Sequence, residues 1–257
     1  MTLPIFVGYD IREHAAWLTC RESLYRPLRI NVPQDVDIHV LNVRELRRVG
    51  VFTRPWRIDE KGQYWDDRDG RPFSTEFAHS RFLVPALAAE MGLTGWVLFC
   101  DCDFMFLDSP TDLLKDLDSS KAIYVVKHDF DRVVEGVKMD GMLQQKYHRK
   151  LWSSLTLWNL DHPQVKAYPS TALANHGRGG DLHGFTGFDD KDIGALPEAW
   201  NWIPGHSSGD IRPAAVHWSF GGPWLPEYAD TSYAKEWQAI YDGVFQNYPV
   251  SQTLPLV

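Results

Sequence analysis

Residues 95–110 read GWVLFCDCDFMFLDSP. Trp96 to Cys100 is apolar without alternation, which suits a strand covered on both faces by helices. It runs straight into Asp101-Cys102-Asp103. In extended backbone, residues two apart point to the same side. The two carboxylates are therefore expected to converge, with Cys102 turned towards the core. Ligands of open α/β sheets bind beyond the carboxyl ends of the strands. Two acidic groups crowded at such a place repel each other, and a divalent cation removes that conflict. The plainer reading is a pair of solvated turn residues.

Working outward, similar short apolar runs recur at Leu3 to Gly8, Ile38 to Val43, Ile123 to Lys127, Leu155 to Asn159 and Ala214 to Trp218. Apolar periodicity predicts a helix from Glu13 to Tyr25. A second helix is expected from an N-cap at Ser74 or Thr75 towards Met91, with Pro85 kinking it or marking a boundary. Strand–helix–strand alternation followed by mixed strands predicts an α/β fold, a mixed central sheet flanked by helices. The polar stretches Phe52 to Pro72 and Asp129 to Lys150 read as long loops near strand ends. The segment from His176 to Gly187, with five glycines in twelve residues, reads as flexible.

Composition narrows the possibilities further. With 257 residues and 44% hydrophobic content, the chain is expected to build one domain over residues 1–257. The net charge is -8 with no basic run, which argues against nucleic acid and anionic membrane as bulk partners. Three cysteines, two of them flanking Asp101, do not suggest a disulfide framework, and a cytoplasmic setting is expected. The start MTLPIFVGYD has no charged leader before a long apolar stretch, so neither a signal peptide nor a transmembrane segment is expected.

A second chemical signal is AVHWSFGGPW at 215–224. An apolar strand ends at His217 and a Gly-Gly-Pro turn follows. Imidazole and carboxylate together suit Mn²⁺, with Mg²⁺ the alternative, so His217 is a candidate third ligand beside Asp101 and Asp103. Gly221 and Gly222 permit close backbone approach, and their amides are candidates to meet a diphosphate. Taken alone, His217 reads as a core histidine beside a tight turn.

Further stretches fall in a telling order: IFVGYD (5–10), SRFLVPAL (80–87) with Arg81, LFCDCDFMF (98–106), WSSLTLWN (152–159), LPEAWNW (196–202) and HWSFGGPW (217–224). This ordered set resembles GT-A fold glycosyltransferases, particularly the glycosyltransferase family 8-like group. The resemblance implies a GT-A type nucleotide-diphospho-sugar transferase fold. It also implies metal-dependent transfer of a hexose from a nucleotide-sugar, with UDP as the nucleotide, to an acceptor hydroxyl with retained configuration; a glycan or lipid-linked acceptor is the working expectation, which no residue identifies. It makes Asp101, Asp103 and His217 the metal ligands. Gly8, Tyr9 and Asp10 fall on the loop that receives base and ribose, with Arg12 beside them. Arg81 becomes a donor-contacting, catalytic arginine, where the default is a helix-surface salt bridge. Ser153 and Ser154 fall near the donor sugar, and Cys102 is counted with the donor-binding residues.

Two departures stand out. Where the family carries a lysine before Pro-Trp, this chain has Gly222, so glycine amides, Arg12 or Lys127 must meet the diphosphate. The carboxylates that handle the transferred sugar are assigned to Asp189 and Asp190, with Asp181 as the other choice; the plainer reading of the pair is an acidic helix start. The charged loop with Lys138, Lys146, His148, Arg149 and Lys150 is a candidate acceptor contact or a solvated loop. Two other readings compete. A haloacid dehalogenase-type phosphohydrolase also uses D-x-D after an apolar strand, but Met105 stands where Thr or Val is usual. A non-catalytic carbohydrate-binding protein would suit the 13% aromatic content and need no metal. A sugar nucleotidyltransferase would need a glycine-rich basic loop after the first strand, which GYDIREH does not supply.

Overall fold

The computed structural model describes residues 2–128, 137–138, 142–143 and 149–247. In chain order the strands and helices are β1 (Leu3–Tyr9), α1 (His14–Tyr25), β2 (Val36–Asn42), α2 (Val43–Arg48), β3 (Trp56–Ile58), β4 (Tyr64–Asp66), β5 (Arg71–Phe73), α3 (Val84–Glu90), β6 (Trp96–Cys100), β7 (Phe104–Phe106) and β8 (Ile123–Val126). There follow β9 (Val137–Lys138), β10 (Met142–Leu143), β11 (Leu155–Asn159), α4 (Pro163–Lys166), α5 (Ser170–His176), α6 (Gly179–His183), β12 (Ile193–Leu196), β13 (Ala215–His217) and α7 (Ala234–Asn247).

A six-stranded sheet in the order β12-β8-β11-β6-β1-β2 forms the centre. Its pairings are parallel except where β11 runs antiparallel between β6 and β8. The mixed sheet read from the sequence is therefore present. The apolar runs explain it: β6, β8 and β11 are buried along most of their length, so both faces must be covered. Phe99, Leu98, Leu157 and Trp158 are fully enclosed, each contributing about 1.5–3 kcal/mol by leaving water.

Several local expectations change. The stretch from Phe52 to Pro72 is not a bare loop: β3, β4 and β5 form a small antiparallel sheet. The second helix does not start at Ser74. A 3-10 turn covers Ser80–Leu83, and α3 begins at Val84 with Pro85 in its first turn, where its missing N–H costs nothing. The glycine-rich segment 176–187 contains α6, whose Leu182 is buried. The segment read as an acidic helix start makes one 3-10 turn, Asp190–Asp192, and then the edge strand β12. Of the candidate acceptor loop, Lys146 and His148 lie outside the described residues, and Lys138 is described in its backbone only.

The last predicted strand leaves the central sheet. β13 pairs antiparallel with β7, with Ala215 opposite Phe106 and His217 opposite Phe104. A second core of Met105, Leu107, Trp202, Val216, Trp218 and Trp237 packs against this ladder, and Trp237 brings α7 onto it. This ladder fixes the position of the site.

Candidate metal and donor site

β6 ends at Cys100 and β7 begins at Phe104, so Asp101 to Asp103 is a turn between two strands rather than extended backbone. The two carboxylates converge because the chain turns, which corrects the same-side strand argument. The backbone is tied on both sides. The Asp101 amide donates to the Ser154 carbonyl at 2.9 Å, and the Trp218 amide donates to the Asp103 carbonyl at 3.0 Å. His217, directly across the β7–β13 ladder, joins them. Ligand atoms of Asp101, Asp103 and His217 all lie within 4.8 Å of one another, and all three residues are buried.

The imidazole is oriented from behind. His217 Nδ1 meets the Asn201 side-chain carbonyl at 2.7 Å, and its ring stacks on Phe104 at 4.3 Å and 9°. The Asn201 amide donates to Ser154 Oγ at 2.9 Å, and that hydroxyl donates to the Leu151 carbonyl at 2.7 Å. A carbonyl accepts only from an N–H, so the proton sits on Nδ1. Nε2 then faces Asp103, whose Oδ1 is 3.3 Å away. Two carboxylates and an imidazole form a donor set that suits Mn²⁺ or Mg²⁺. Carboxylates crowded together out of water favour a nearby cation, and Arg81 stands 2.8 Å from one of them.

Arg81 is no surface salt bridge. Its Nη1 is 2.8 Å from Asp101 Oδ1 and donates to the Ser153 carbonyl at 2.9 Å, while its Nε donates to the Ala78 carbonyl at 3.1 Å. The guanidinium lies over Phe77 and Phe99. Beside it opens a cavity of about 1050 Å³, lined among others by Arg81, Asp101, Lys150, Ser153, Ser154 and Ser219. Ser153 Oγ meets His183 Nδ1 at 2.7 Å, and the His183 and His79 rings approach edge to face at 6.0 Å. Burial, helped by the nearby Arg54 charge, pushes the His79 imidazole down to about 3. Burial and Arg81 likewise lower His183. Both rings are therefore neutral at physiological pH.

The other predicted residues are placed less simply. Gly8, Tyr9, Asp10 and Arg12 do not line this cavity. Asp10 is enclosed and accepts from the Arg12 amide at 2.9 Å, from Arg12 Nη2 at 2.7 Å and from the Glu76 amide at 3.0 Å. Arg12 also reaches the Ser74 carbonyl and lies over Tyr64. Gly8 is needed because a Cβ there would stand 2.4 Å from the Phe77 ring. Tyr9 packs edge-on against Trp17. These residues tie β1 to the segment that carries Arg81.

Cys102 is a correction. Its thiol is fully buried and donates to Glu13 Oε2 at 3.2 Å, and burial beside that carboxylate raises its pKa. The side chain faces the core. Gly221 and Gly222 change roles as well. Cβ atoms there would stand 2.5 Å from the Tyr228 ring and 2.1 Å from the Trp224 ring, so the glycines admit these rings. The Gly221 amide already donates to the Trp218 carbonyl at 3.0 Å, which removes it as a diphosphate donor. Lys127 donates to the Ile193 carbonyl at 2.8 Å. Asp189 and Asp190 are largely exposed, at 74% and 83% of the side chain, and pair with Lys191 and Arg149. Neither lines the cavity, whereas Asp181 does. Their segment is a solvent-facing turn leading into edge strand β12, which turns both carboxylates outward.

Asn201, His79 and His183 were not singled out from sequence. The quoted LPEAWNW stretch already contained Asn201. Nothing local marks the two histidines, because their roles depend on which segments pack together. Lys150, named only with the acceptor loop, is buried and lines the same cavity as Asp101.

No family model matches the chain. Among solved structures, the bifunctional glycosyltransferase WbbM superposes with a TM-score of 0.60 at 12% identity, over 95% of this chain and 51% of that one. The chain thus spans about half of WbbM's length. The galactosyltransferase LgtC, in complex with donor and acceptor sugar analogues, gives a TM-score of 0.55 at 14% identity, over 98% of this chain and 100% of that one. The glycosyltransferase GlyE from Streptococcus pneumoniae gives 0.57 at 12% identity, over 98% and 64%. At such identities the likeness is one of fold, and that fold is the GT-A type. Sequence carries further in one case: "Protein CDI" of Arabidopsis thaliana is 38% identical over 238 residues, 91% of this chain and 83% of that protein. The chain therefore belongs to the family of protein CDI.

Proposed function

We propose that this protein transfers a hexose from a nucleotide-sugar, with UDP as the nucleotide, to an acceptor hydroxyl, with a divalent ion held by Asp101, Asp103 and His217. The observation that carries this reading is the buried convergence of those three side chains on a GT-A fold. When bound, the ion would neutralise the negative charge that grows on the diphosphate as the anomeric bond breaks. Asn201 holds His217 in the tautomer that leaves Nε2 available. Arg81 bonds Asp101 and the Ser153 carbonyl together, fixing the cavity wall beside the ligands. Lys150 and the serine pair at 153–154 line the same wall, and Lys150 supplies the cation that Gly222 does not. The order of motifs shared with the family 8-like group supports retention of configuration. Asp181 is the lining carboxylate best placed to meet the transferred sugar, ahead of Asp189 and Asp190.

A phosphohydrolase would use Asp101 as an attacking carboxylate. Arg81 at 2.8 Å and the GT-A fold both speak against it. The test is calorimetric titration of UDP into metal-free protein, with and without Mn²⁺, repeated on Asp103→Asn. Binding that needs Mn²⁺ and weakens at least about a hundredfold in the variant is expected, since ligand loss exceeds the 10–100-fold cost of an outer-shell change. Equal UDP binding with and without the metal would sink the reading.

A further inference from the structure

The cavity has a second end, and its charge is unlike that of the first. Of the carboxylates lining it, Asp66, Asp69 and Asp67 are already matched by arginines. Arg54, fully buried and outside the cavity lining, stands 2.5 Å from Asp66 and 3.3 Å from Asp69. Arg57 pairs with Asp67, and Arg81 with Asp101. The other basic groups along the lining are Arg68, Arg71, Lys150 and Arg178, and the other carboxylate is Asp181.

Arg71 and Arg178 are exposed and, among the described residues, their guanidiniums make neither a hydrogen bond nor an ion pair. They come from distant parts of the chain, one from β5 and one from the turn before α6. Three contacts stitch those parts together across the opening. Asp69 accepts from the Gly179 amide, Arg68 Nε donates to the His176 carbonyl at 2.7 Å, and Arg54 Nη1 donates to the Gly177 carbonyl at 2.6 Å. The rim is therefore held in place while two of its guanidiniums are uncommitted. A guanidinium is a bidentate donor matched to phosphate and carboxylate.

A run of contacts, not a direct one, links the rim to the Asp101 end. Arg81 touches Asp101 and Ser153, Ser153 touches His183, and His183 packs on His79, which stands 3.7 Å from Asp66. A donor diphosphate held at the Asp101 end leaves this rim to the other substrate.

We propose that Arg71 and Arg178 dock an anionic group, phosphate or carboxylate, carried by the acceptor. The inference rests on the glycosyl-transfer reading. It narrows the acceptor to an anionic sugar or an anionic lipid headgroup.

The test uses the full chain with UDP and Mn²⁺ present. Binding is measured for glucose 6-phosphate, glucuronate and neutral glucose, and for phosphatidylcholine vesicles with and without phosphatidylinositol. The same series is run on the double variant Arg71→Gln, Arg178→Gln. Both residues are exposed, so the variant is expected to keep its melting temperature and its UDP affinity. At least one anionic probe should bind more tightly than its neutral counterpart and lose about tenfold in the variant, the scale of one to two charge-assisted contacts. Loss for the soluble sugars points to a free anionic sugar; loss for the vesicles alone points to a lipid headgroup. Two results would overturn the proposal: no anionic probe preferred over its neutral match, or a preference that survives in the variant. Absence of UDP binding by the unmodified protein would instead count against the glycosyl-transfer reading, so the two failures are distinguishable.

Discussion

The two ends of the cavity are built in opposite ways. At the Asp101 end, polar and charged groups are buried and each is fixed from another element: Asp101 by Arg81, His217 by Asn201, Asn201 by Ser154. At the Arg71 end the buried work lies behind the surface, in Arg54, and the guanidiniums at the opening are exposed. A fixed, dry cluster can stabilise charge that develops at one point, without reorganising. An exposed pair contributes little each but selects what approaches. The same fold thus separates a place for chemistry from a place for recognition.

The largest effect should come from the support behind the rim. Arg54→Ala leaves Asp66 buried without its partner and frees the carbonyls of Ala174 and Gly177. A loss of about 3–5 kcal/mol is expected, the cost of orphaning a buried charge. Chemical denaturation measures it, and a loss below 1 kcal/mol would show that the small sheet does not depend on this ion pair.

Next comes the support behind the proposed metal ligands. Asn201→Ala removes the acceptor that fixes the His217 tautomer, and Mn²⁺ affinity should fall about 10–100-fold. Thermal stability should change far less than in the Arg54 variant, and Asn201→Asp should restore part of the affinity. Unchanged Mn²⁺ binding in Asn201→Ala would erase the distinction drawn between the two ends.

The third test uses pH. Burial pushes the His79 imidazole down to about 3 in the folded protein, against an ordinary value of about 6.5. The unfolded chain therefore binds this proton in that interval and the folded protein does not. Stability from this group is full above about pH 6.5 and is lost as pH falls towards 3, with a slope of at most about 1.4 kcal/mol per pH unit. His183 acts in the same direction. Urea midpoints from pH 7 to 4 should show a smaller decline for His79→Gln than for the unmodified protein. Parallel declines would mean that His79 is not held neutral.

The smallest effect is expected at Asp189. Its exposed carboxylate pairs only with Lys191 at 3.5 Å. Asp189→Asn should alter transfer by less than about threefold, within the range of a surface pair. A loss of a hundredfold would return this residue to the site and displace Asp181 from it.

Much of the fold was legible in the sequence. The apolar runs of β1, β6, β8 and β11 were recognisable within a residue or so, because burial on both faces leaves a continuous signature. β3 to β5 were missed because each has three residues and the stretch is rich in charge. β12 was missed because its apolar run, Ile193 to Leu196, is short and follows an acidic turn. At the site, Asp101 and Asp103 could be read from local pattern. Their geometry was reached by the wrong route, since a turn and not a strand aims them. The pair Asp189 and Asp190 was chosen on motif order, which says nothing about which way a side chain faces.

By itself the sequence determined what lies close along the chain: which runs must be buried strands, and that two carboxylates stand at the end of one of them. Hydrophobic period and residue spacing are local properties, so they survive without a structure. Only the tertiary structure decided which distant groups meet. His217 reaches Asp103 across the β7–β13 ladder, and Asn201 sets its tautomer. Arg54 neutralises Asp66 and leaves the Arg71 and Arg178 guanidiniums uncommitted, and Gly221 and Gly222 make room for aromatic rings. Those partnerships depend on the packing of segments far apart in the chain, where close-packed shape and charge, not spacing, select the contact.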